Sequence, residues 1–143
     1  MTARACSIAR ALDVVGDRWS LLVVRELTLG VHRFNEIAAF TGAPRDVLTA
    51  RLRKLEDLGV VERREYSAHP PRYDYLLTPS GRGLAPVLSL LRQWGDDHAA
   101  EGPGPVAFRH DGHDFVPQVH CASCGQVPER GSVRPEPRET AAS

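Results

Sequence analysis

Arginine, lysine and threonine side chains gather between residues 45 and 54, where an amphipathic helix is predicted. With Leu48 as the buried direction and about 100° per residue, Thr49, Arg53 and Lys54 fall on or near the opposite face, and Arg45 lies on the first turn. Arginine and lysine pair with guanine edges or phosphates, and threonine contacts a thymine methyl or a phosphate. These residues are therefore candidates for binding nucleic acid, although an ordinary solvated helix face has the same pattern.

The helix that carries them is predicted from its apolar spacing. Pro44 suits the first helical position, and Gly59 suits the left-handed stop just beyond the end. Arg51 lies beside the apolar stripe, so its partner could be a carboxylate rather than a nucleic acid. The stripe consists of leucines spaced by four, three and three positions: Leu48, Leu52, Leu55 and Leu58.

Two strand-like segments follow this helix. Residues 60–66 and 73–78 are rich in β-branched and aromatic side chains. The segment between them, 67–72, contains two consecutive prolines, which carry no backbone donor and therefore favour a turn. His69 and Arg72 in that turn suit a wing that lies along phosphates or enters a minor groove. A hairpin tip that only meets solvent is the alternative.

Three shorter helices are predicted upstream. The first ends near Gly16, and the second runs over residues 18–29 with Asp17 as its N-cap. The third precedes a turn at residues 41–43 and forms a helix-turn-helix with the long helix after it. One face of the first helix consists of Ile8, Leu12 and Val15, and the third helix is marked by Phe34, Ile37 and Phe40. On the second helix, the side chains expected to face inward are Trp19, Leu22, Val23 and Leu27.

Downstream of the hairpin, Thr78 and Pro79 begin another helix that extends to about His98. Pro86 is expected to bend this helix, because proline removes a backbone hydrogen bond and clashes with the preceding turn. A domain of about 100 residues buries only a small core, so this helix is expected to pack against a second copy of the chain. Closing the core of one monomer is the alternative. The apolar face consists of Leu84, Val87, Leu88, Leu91 and Trp94.

The predicted fold is therefore mostly α with a small β-hairpin wing, which is a winged helix-turn-helix. That layout places one helix in a DNA major groove and the hairpin beside the flanking backbone. The rival function is a winged-helix module that binds protein and little DNA. The chain has no phosphate-binding glycine loop, nucleophile elbow or HExxH motif, so an enzyme is not expected. A small-molecule effector could lie near Trp19, Phe34 or Trp94, although filling the core is the commoner role of such side chains.

Seven short motifs follow one another along the first half of the chain: CSIARAL at 6–12, GDRWSLL at 16–22, REL at 25–27, RFNEI at 33–37, LTARL at 48–52, GVV at 59–61 and PPRYDY at 70–75. Together they resemble HxlR-type transcriptional regulators, which are relatives of the MarR group. The resemblance covers residues 6 to about 98 and implies a bacterial, homodimeric regulator that binds double-stranded operator DNA, often near its own gene. A repressor that responds to a small molecule or a redox signal is the expected form.

Charge is distributed unevenly along the 143 residues, whose formal net charge is +0. Residues 45–82 hold 8 basic and 6 acidic groups, whereas residues 83–143 hold 5 and 8. The small basic excess on the proposed DNA-binding segment predicts salt-dependent binding. No apolar run of about 18 residues and no charged-then-apolar leader is present, so a cytoplasmic protein without a membrane partner is expected.

Cys6 lies at the start of the first predicted helix, where the amide dipole would lower its thiol pKa if it caps that helix. In parts of the resembled family, a cysteine at the matching position senses oxidants or electrophiles. The resemblance therefore makes Cys6 a candidate redox sensor. A small, partly buried and unreactive side chain is the alternative.

A C-terminal extension contains His110 and His113, followed by Cys121 and Cys124. An HxxH pair and a CxxC pair could supply two nitrogens and two sulfurs to a tetrahedral zinc, with His120 as a further candidate ligand. Similar regulators carry two cysteine knuckles that resemble a zinc ribbon, so this extension resembles a degenerate zinc ribbon whose first knuckle lacks cysteine. A ribbon that keeps its shape by packing, or a CxxC redox pair, is the alternative.

Three parts of the chain are expected from these features. Residues 1–99 form the winged-helix DNA-binding and dimerisation domain, and residues 100–127 form the knuckle and hairpin extension. Residues 128–143 are expected to be a flexible tail, because they are rich in proline, glutamate, arginine and serine.

Overall fold

The computed structural model describes residues 4–99 and 101–138. The chain divides between Arg92 and Gln93 into two compact units. The predicted domain bounds at residues 99 and 127 stay predictions. None of the helices in the described residues has the length and apolar character that crossing a lipid bilayer requires.

Six helices and a hairpin make up the regular structure up to His98. The helices are α1 (Ser7–Val15), α2 (Arg18–Thr28), α3 (Phe34–Thr41), α4 (Arg45–Asp57), α5 (Pro79–Arg82) and α6 (Ala85–His98). The strands β1 (Val61–Ala68) and β2 (Pro71–Leu77) pair antiparallel between α4 and α5. The mostly helical fold with a two-stranded wing is therefore confirmed.

The caps predicted for the helices are largely present. Asp17 caps α2, since its carboxylate accepts hydrogen bonds from the Trp19 and Ser20 amides at 3.0 Å each. Gly42 has φ 73° between α3 and α4, which is the left-handed conformation that glycine tolerates best. Pro44 is the N-cap of α4 rather than its first helical residue. The helix-turn-helix therefore forms where the sequence placed it.

Eleven apolar side chains form the buried core of the first unit. Leucines of α4 pack against α2, which also packs on α3. The prediction that Leu58 belongs to the buried stripe of α4 is wrong, since this side chain is 50 % exposed at the end of the helix. Phe40, which marks the third predicted helix, is 61 % exposed. Ser20 and Glu26 are buried although both are polar. The core consists of Val15, Val23, Val24, Leu27, Ile37, Ala43, Leu48, Leu52, Leu55, Val60 and Val61.

The wing is longer than predicted. Its strands extend to Ala68 and Pro71, which pair with each other, so only His69 and Pro70 form the tip. Proline fits here because both strands of a two-stranded hairpin are edge strands, where a missing donor faces outward. A short segment before α3 also pairs with β2, since the Tyr75 amide donates to the His32 carbonyl at 2.9 Å.

The helix predicted after the wing is broken instead of bent. α5 ends at Arg82 and α6 begins at Ala85, so Pro86 occupies the first turn of α6, where its missing donor costs no helical hydrogen bond. Thr78 caps α5, because its hydroxyl accepts from the Gly81 amide at 3.1 Å. A Cβ at Gly81 would collide with the Val60 carbonyl and lie 2.9 Å from a Leu77 methyl. Glycine therefore lets α5 sit against the base of the wing.

In the second unit, β3 (Arg109–His110) and β4 (His113–Asp114) form a small hairpin closed by Asp111 and Gly112. Each of these strands is two residues long. Residues 128–138 contain no helix or strand, and residues 139–143 of the predicted flexible tail lie outside the described residues. None of the described residues from Gln93 onward is buried.

Candidate nucleic-acid interface

Arg45 lies exposed on the first turn of α4, held by the start of α3. Its Nη2 donates to Asn35 Oδ1 at 3.0 Å, and its guanidinium carbon lies 4.9 Å from the centre of the Phe34 ring. A neutral amide and an aromatic face orient the guanidinium without cancelling its charge. Arg45 is therefore positioned for an anionic or base-edge partner.

Thr49, Arg53 and Lys54 continue along α4. Thr49 and Arg53 are exposed, and Lys54 is half-buried. The Thr49 hydroxyl donates to the Arg45 carbonyl at 2.8 Å, which leaves its methyl and oxygen lone pairs outward. Within residues 4–99 and 101–138, no carboxylate forms an ion pair with Arg45, Arg53 or Lys54.

Arg51 differs from these neighbours. Its Nε lies 3.0 Å from Asp17 Oδ1, which joins α4 to the cap of α2. Burial opposes the charged form of Asp17, but the Ser20 hydroxyl, the Ser20 and Trp19 amides and the Arg51 charge together lower the pKa of its carboxyl. Of the two partners that the sequence left open for Arg51, the structure favours the carboxylate.

The wing presents His69 at its tip and Arg72 just beyond it, both exposed. In the described part of the chain, no carboxylate pairs with Arg72. Arg64, in contrast, pairs with Glu62 on the same strand at 3.1 Å. The wing therefore carries its available cation near the tip, which is the part that can reach a nucleic-acid backbone.

Two further arginines connect the wing to the helices, and no pattern in the sequence points to them. Arg33 Nε lies 2.6 Å from Asp74 Oδ1, and the guanidinium carbon lies 3.8 Å from the centre of the Tyr66 ring. Arg63 Nε lies 3.7 Å from Glu56 of α4. These contacts join residues distant in sequence, so spacing alone gave no signal for them. They fix the wing to α3 and α4.

A cleft of about 450 Å³ opens between the wing and the first turns of α3 and α4. Three arginines line it, and within the described residues only Arg33 among them has a carboxylate partner. Arginine presents a planar fork of donors that matches phosphate oxygens. The cleft can therefore admit one anionic group between the helix and the wing. Its lining consists of Arg33, Phe34, Asn35, Arg45, Tyr66, Pro71, Arg72, Tyr73 and Tyr75.

Cys6 occupies the N-cap position of α1, as its placement in the sequence suggested. The backbone amides of Ala9 and Ile8 lower the pKa of its thiol, and the Arg10 charge acts in the same direction. Arg10, one turn into α1, is thus a cationic neighbour of this thiol. Whether Cys6 reacts with oxidants stays a prediction.

The predicted zinc ligands do not converge. The His110 and His113 rings lie 5.6 Å apart between centroids on the β3–β4 hairpin, and Cys121 and Cys124 share a separate turn. No group of three or more histidine, cysteine or acidic residues in the described chain could hold a metal ion. As placed, these residues do not fit a tetrahedral site. Zinc and the ribbon stay predictions, which metal analysis of untagged protein would test.

Comparison with known proteins supports the interpretation of the first unit. The pattern of the HxlR-like helix-turn-helix family matches residues 14–103. An uncharacterized HTH-type transcriptional regulator of Mycobacterium tuberculosis, MT3179, is 43 % identical over 135 residues, which cover 92 % of this chain and 85 % of that protein.

Solved structures agree with this. The crystal structure of PA1607, a candidate transcription factor, has a TM-score of 0.79 at 34 % identity and covers 92 % of this chain and 94 % of that one. The redox regulator HypR in its reduced form has a TM-score of 0.58 at 32 % identity, over 66 % of this chain and 94 % of that one. The names of these relatives describe transcription factors and regulators. The chain belongs to the HxlR-like helix-turn-helix family and is a transcriptional regulator of the helix-turn-helix type.

Proposed function

We propose that this protein binds operator DNA sequence-specifically as a homodimer and represses transcription in response to a redox or small-molecule signal. In this proposal α4 enters the major groove, while the wing lies along the adjacent backbone or minor groove. The observation that carries the proposal is the contrast between two sets of arginines. Arg33, Arg51 and Arg63 are paired with carboxylates, whereas Arg45, Arg53 and Arg72 have no such partner in the described chain.

This contrast supports DNA binding because a paired arginine has already lost part of its attraction for phosphate. The unpaired set lies on the exposed side of α4 and near the tip of the wing, the two parts of a winged helix that reach DNA. The cleft that contains Arg45 and Arg72 would then receive a backbone phosphate between the two parts. Base edges would be read by Arg45, Thr49 and Arg53 on α4.

The decisive test is fluorescence anisotropy with the DNA upstream of the protein's own gene and a scrambled duplex at two salt concentrations. If Arg53 pairs with a base, Arg53→Ala should weaken operator binding by about 1–3 kcal/mol and relax the preference for one sequence. If Arg53 contacts phosphate alone, affinity should fall equally for both duplexes and the salt dependence should become shallower.

Arg109→Ala is the matched control, because Arg109 is also an exposed arginine but lies in the extension and pairs with Asp114 at 2.8 Å. It should leave operator affinity unchanged. Equal, salt-insensitive and negligible binding to every tested duplex would contradict the proposal. It would favour the rival function, a winged-helix module that binds another protein.

Homodimer formation is supported by apolar side chains that the first unit leaves exposed. On α1, Ile8 is 70 % exposed and Leu12 is 57 % exposed, and α6 leaves Val87 and Leu91 about half exposed. Such faces on helices commonly meet a two-fold copy of themselves. Leu12→Asp should shift the sedimentation coefficient from dimer to monomer, whereas Ser7→Asp on the same helix should not. A wild-type protein that sediments as a monomer would overturn this part of the proposal.

A redox signal is supported by the lowered thiol pKa of Cys6 and by the similarity to HypR. Mild diamide or quinone treatment, followed by mass spectrometry, should modify Cys6 and reduce operator binding. Cys6→Ser should bind the operator but lose this response. An unmodified Cys6 with undiminished DNA binding would leave a small-molecule effector as the remaining candidate signal.

The repressor role is a separate part of the proposal. It predicts that deleting the gene raises transcription from the operator's promoter.

A further inference from the structure

The C-terminal unit holds defined turns without a core. None of its described residues is buried, and apolar side chains such as Val116 and Val119 face solvent. Segments of this length seldom bury enough apolar surface to be stable alone, so they are commonly held by disulfides, metals or partners. A covalent or metal crosslink within this unit would therefore have a large relative effect on its order.

Cys121 and Cys124 are arranged for such a crosslink. The Gly125 amide donates to the Cys121 carbonyl at 2.7 Å, and the Cys121 amide donates to the Gln126 carbonyl at 2.9 Å. The first bond closes a single helix-like turn, in which side chains three positions apart lie on the same side. Gly125 leaves the turn at φ 73°, a conformation that glycine adopts without strain. The backbone therefore holds the two thiols as neighbours.

Both thiols are free and accessible, since Cys121 is half-buried and Cys124 is exposed. A metal would need more ligands than this pair supplies, and the described residues offer no third one nearby. A disulfide needs only the two sulfurs. In reducing compartments, disulfides between such neighbours are usually transient and respond to redox conditions.

We infer that Cys121 and Cys124 form a reversible intramolecular disulfide, a redox site in the extension that is separate from Cys6. The oxidant is a low-molecular-weight disulfide such as oxidised glutathione. The Cys121 thiolate attacks one sulfur of that disulfide and releases one thiol as a leaving group. Cys124 then attacks the Cys121 sulfur of the mixed disulfide and releases the second thiol. The two protein thiols are oxidised, the small disulfide is reduced to two thiols, and the two protons pass from cysteine to the products.

The test uses the full chain carrying Cys6→Ser, incubated with oxidised glutathione and a chelator and then quenched by acid. Trypsin releases both cysteines in one peptide, residues 110–130, because cleavage follows Arg109 and Arg130. This peptide should become lighter by two hydrogens, and both remaining free thiols should disappear. Adding a reductant should restore them.

Single variants examine the mechanism. Cys124→Ser should trap glutathione on Cys121, at a level at least about tenfold above that in the parent, because ring closure at high effective concentration no longer removes it. Cys121→Ser should acquire glutathione more slowly, since it lacks the thiol whose pKa the Cys124 and Ser123 amides lower. A peptide that remains reduced, carries two glutathiones or links two chains would overturn the inference. None of these outcomes depends on DNA binding.

Discussion

The two units of this chain use the same kinds of turn but are stabilised differently. Up to Arg92, eleven apolar side chains are buried. The glycine turns in this unit connect helices and strands that this core already stabilises. From Gln93 onward, no described residue is buried, so turns such as Cys121–Gln126 depend on local hydrogen bonds. An ordered backbone and a hydrophobic core are therefore separable properties, and a substitution should cost far more free energy of unfolding in the first unit.

The largest expected difference concerns apolar truncation. Leu52→Ala should lower the free energy of unfolding by about 2–5 kcal/mol, because Leu52 is 1 % exposed and its removal leaves a cavity. Val116→Ala should change it by less than about 0.5 kcal/mol, since Val116 is 70 % exposed. Urea denaturation followed by circular dichroism measures both. If both variants lost a similar free energy of unfolding, the two units would not differ in how far they depend on buried apolar side chains.

A smaller difference is expected at the α2 cap. Asp17→Ala should cost about 0.5–2 kcal/mol, because it removes the acceptor for two backbone amides at the helix start. It also leaves Arg51 without its carboxylate. Asp17→Asn should retain most of the capping contribution, since the amide oxygen still accepts. An alanine variant as stable as the wild type would show that α2 needs no side-chain cap.

The same carboxylate predicts a pH dependence. Because the folded-state pKa of Asp17 lies below its ordinary value of about 3.9, its contribution is fully present above that ordinary value. The contribution is lost as the pH falls through the lower folded-state pKa. Denaturation at a series of acidic pH values should therefore show stability falling more steeply in the wild type than in Asp17→Asn. Parallel curves would mean that other carboxylates dominate acid unfolding.

The smallest effect is expected in the extension. Asp114 also pairs with an arginine, Arg109, but both side chains are largely exposed. Asp114→Ala should therefore change the free energy of unfolding by about 0–1 kcal/mol, the range typical of surface ion pairs. Thermal melting in low and high salt measures it. If Asp114→Ala lost as much free energy of unfolding as Asp17→Ala, the exposure of an ion pair would not indicate how much it contributes to stability.

In the first unit, sequence patterns correctly predicted the features that depend on interactions between residues close together in the chain. The leucine stripe of α4, the Asp17 cap and the Gly59 stop each depend on residues within a turn or two of one another. Leu58 was misplaced because helical periodicity defines a face but does not show how far the neighbouring elements cover it. The exposure of Phe40 has the same cause.

Contacts between distant residues lay beyond prediction. The pairing of the segment before α3 with β2, and the Arg33–Asp74 ion pair beside it, require the chain to be folded first. The same limit applies to the predicted zinc site. The spacing within the histidine pair and within the cysteine pair does not determine whether the two pairs approach each other in the folded chain. For the interface, type and spacing identified the exposed cations, but only the structure distinguished paired from unpaired arginines.

The close approach of Gly81 to the Val60 carbonyl has a consequence for the evolution of this protein. Any side chain at position 81 would force the backbone of α5 away from the base of the wing. In a saturation library selected for folded protein, codon 81 should retain glycine, while the exposed neighbour Ser80 should accept many substitutions. Substitution at position 81 is therefore limited by the space beside the Val60 carbonyl, although Gly81 is not among the residues proposed to contact DNA.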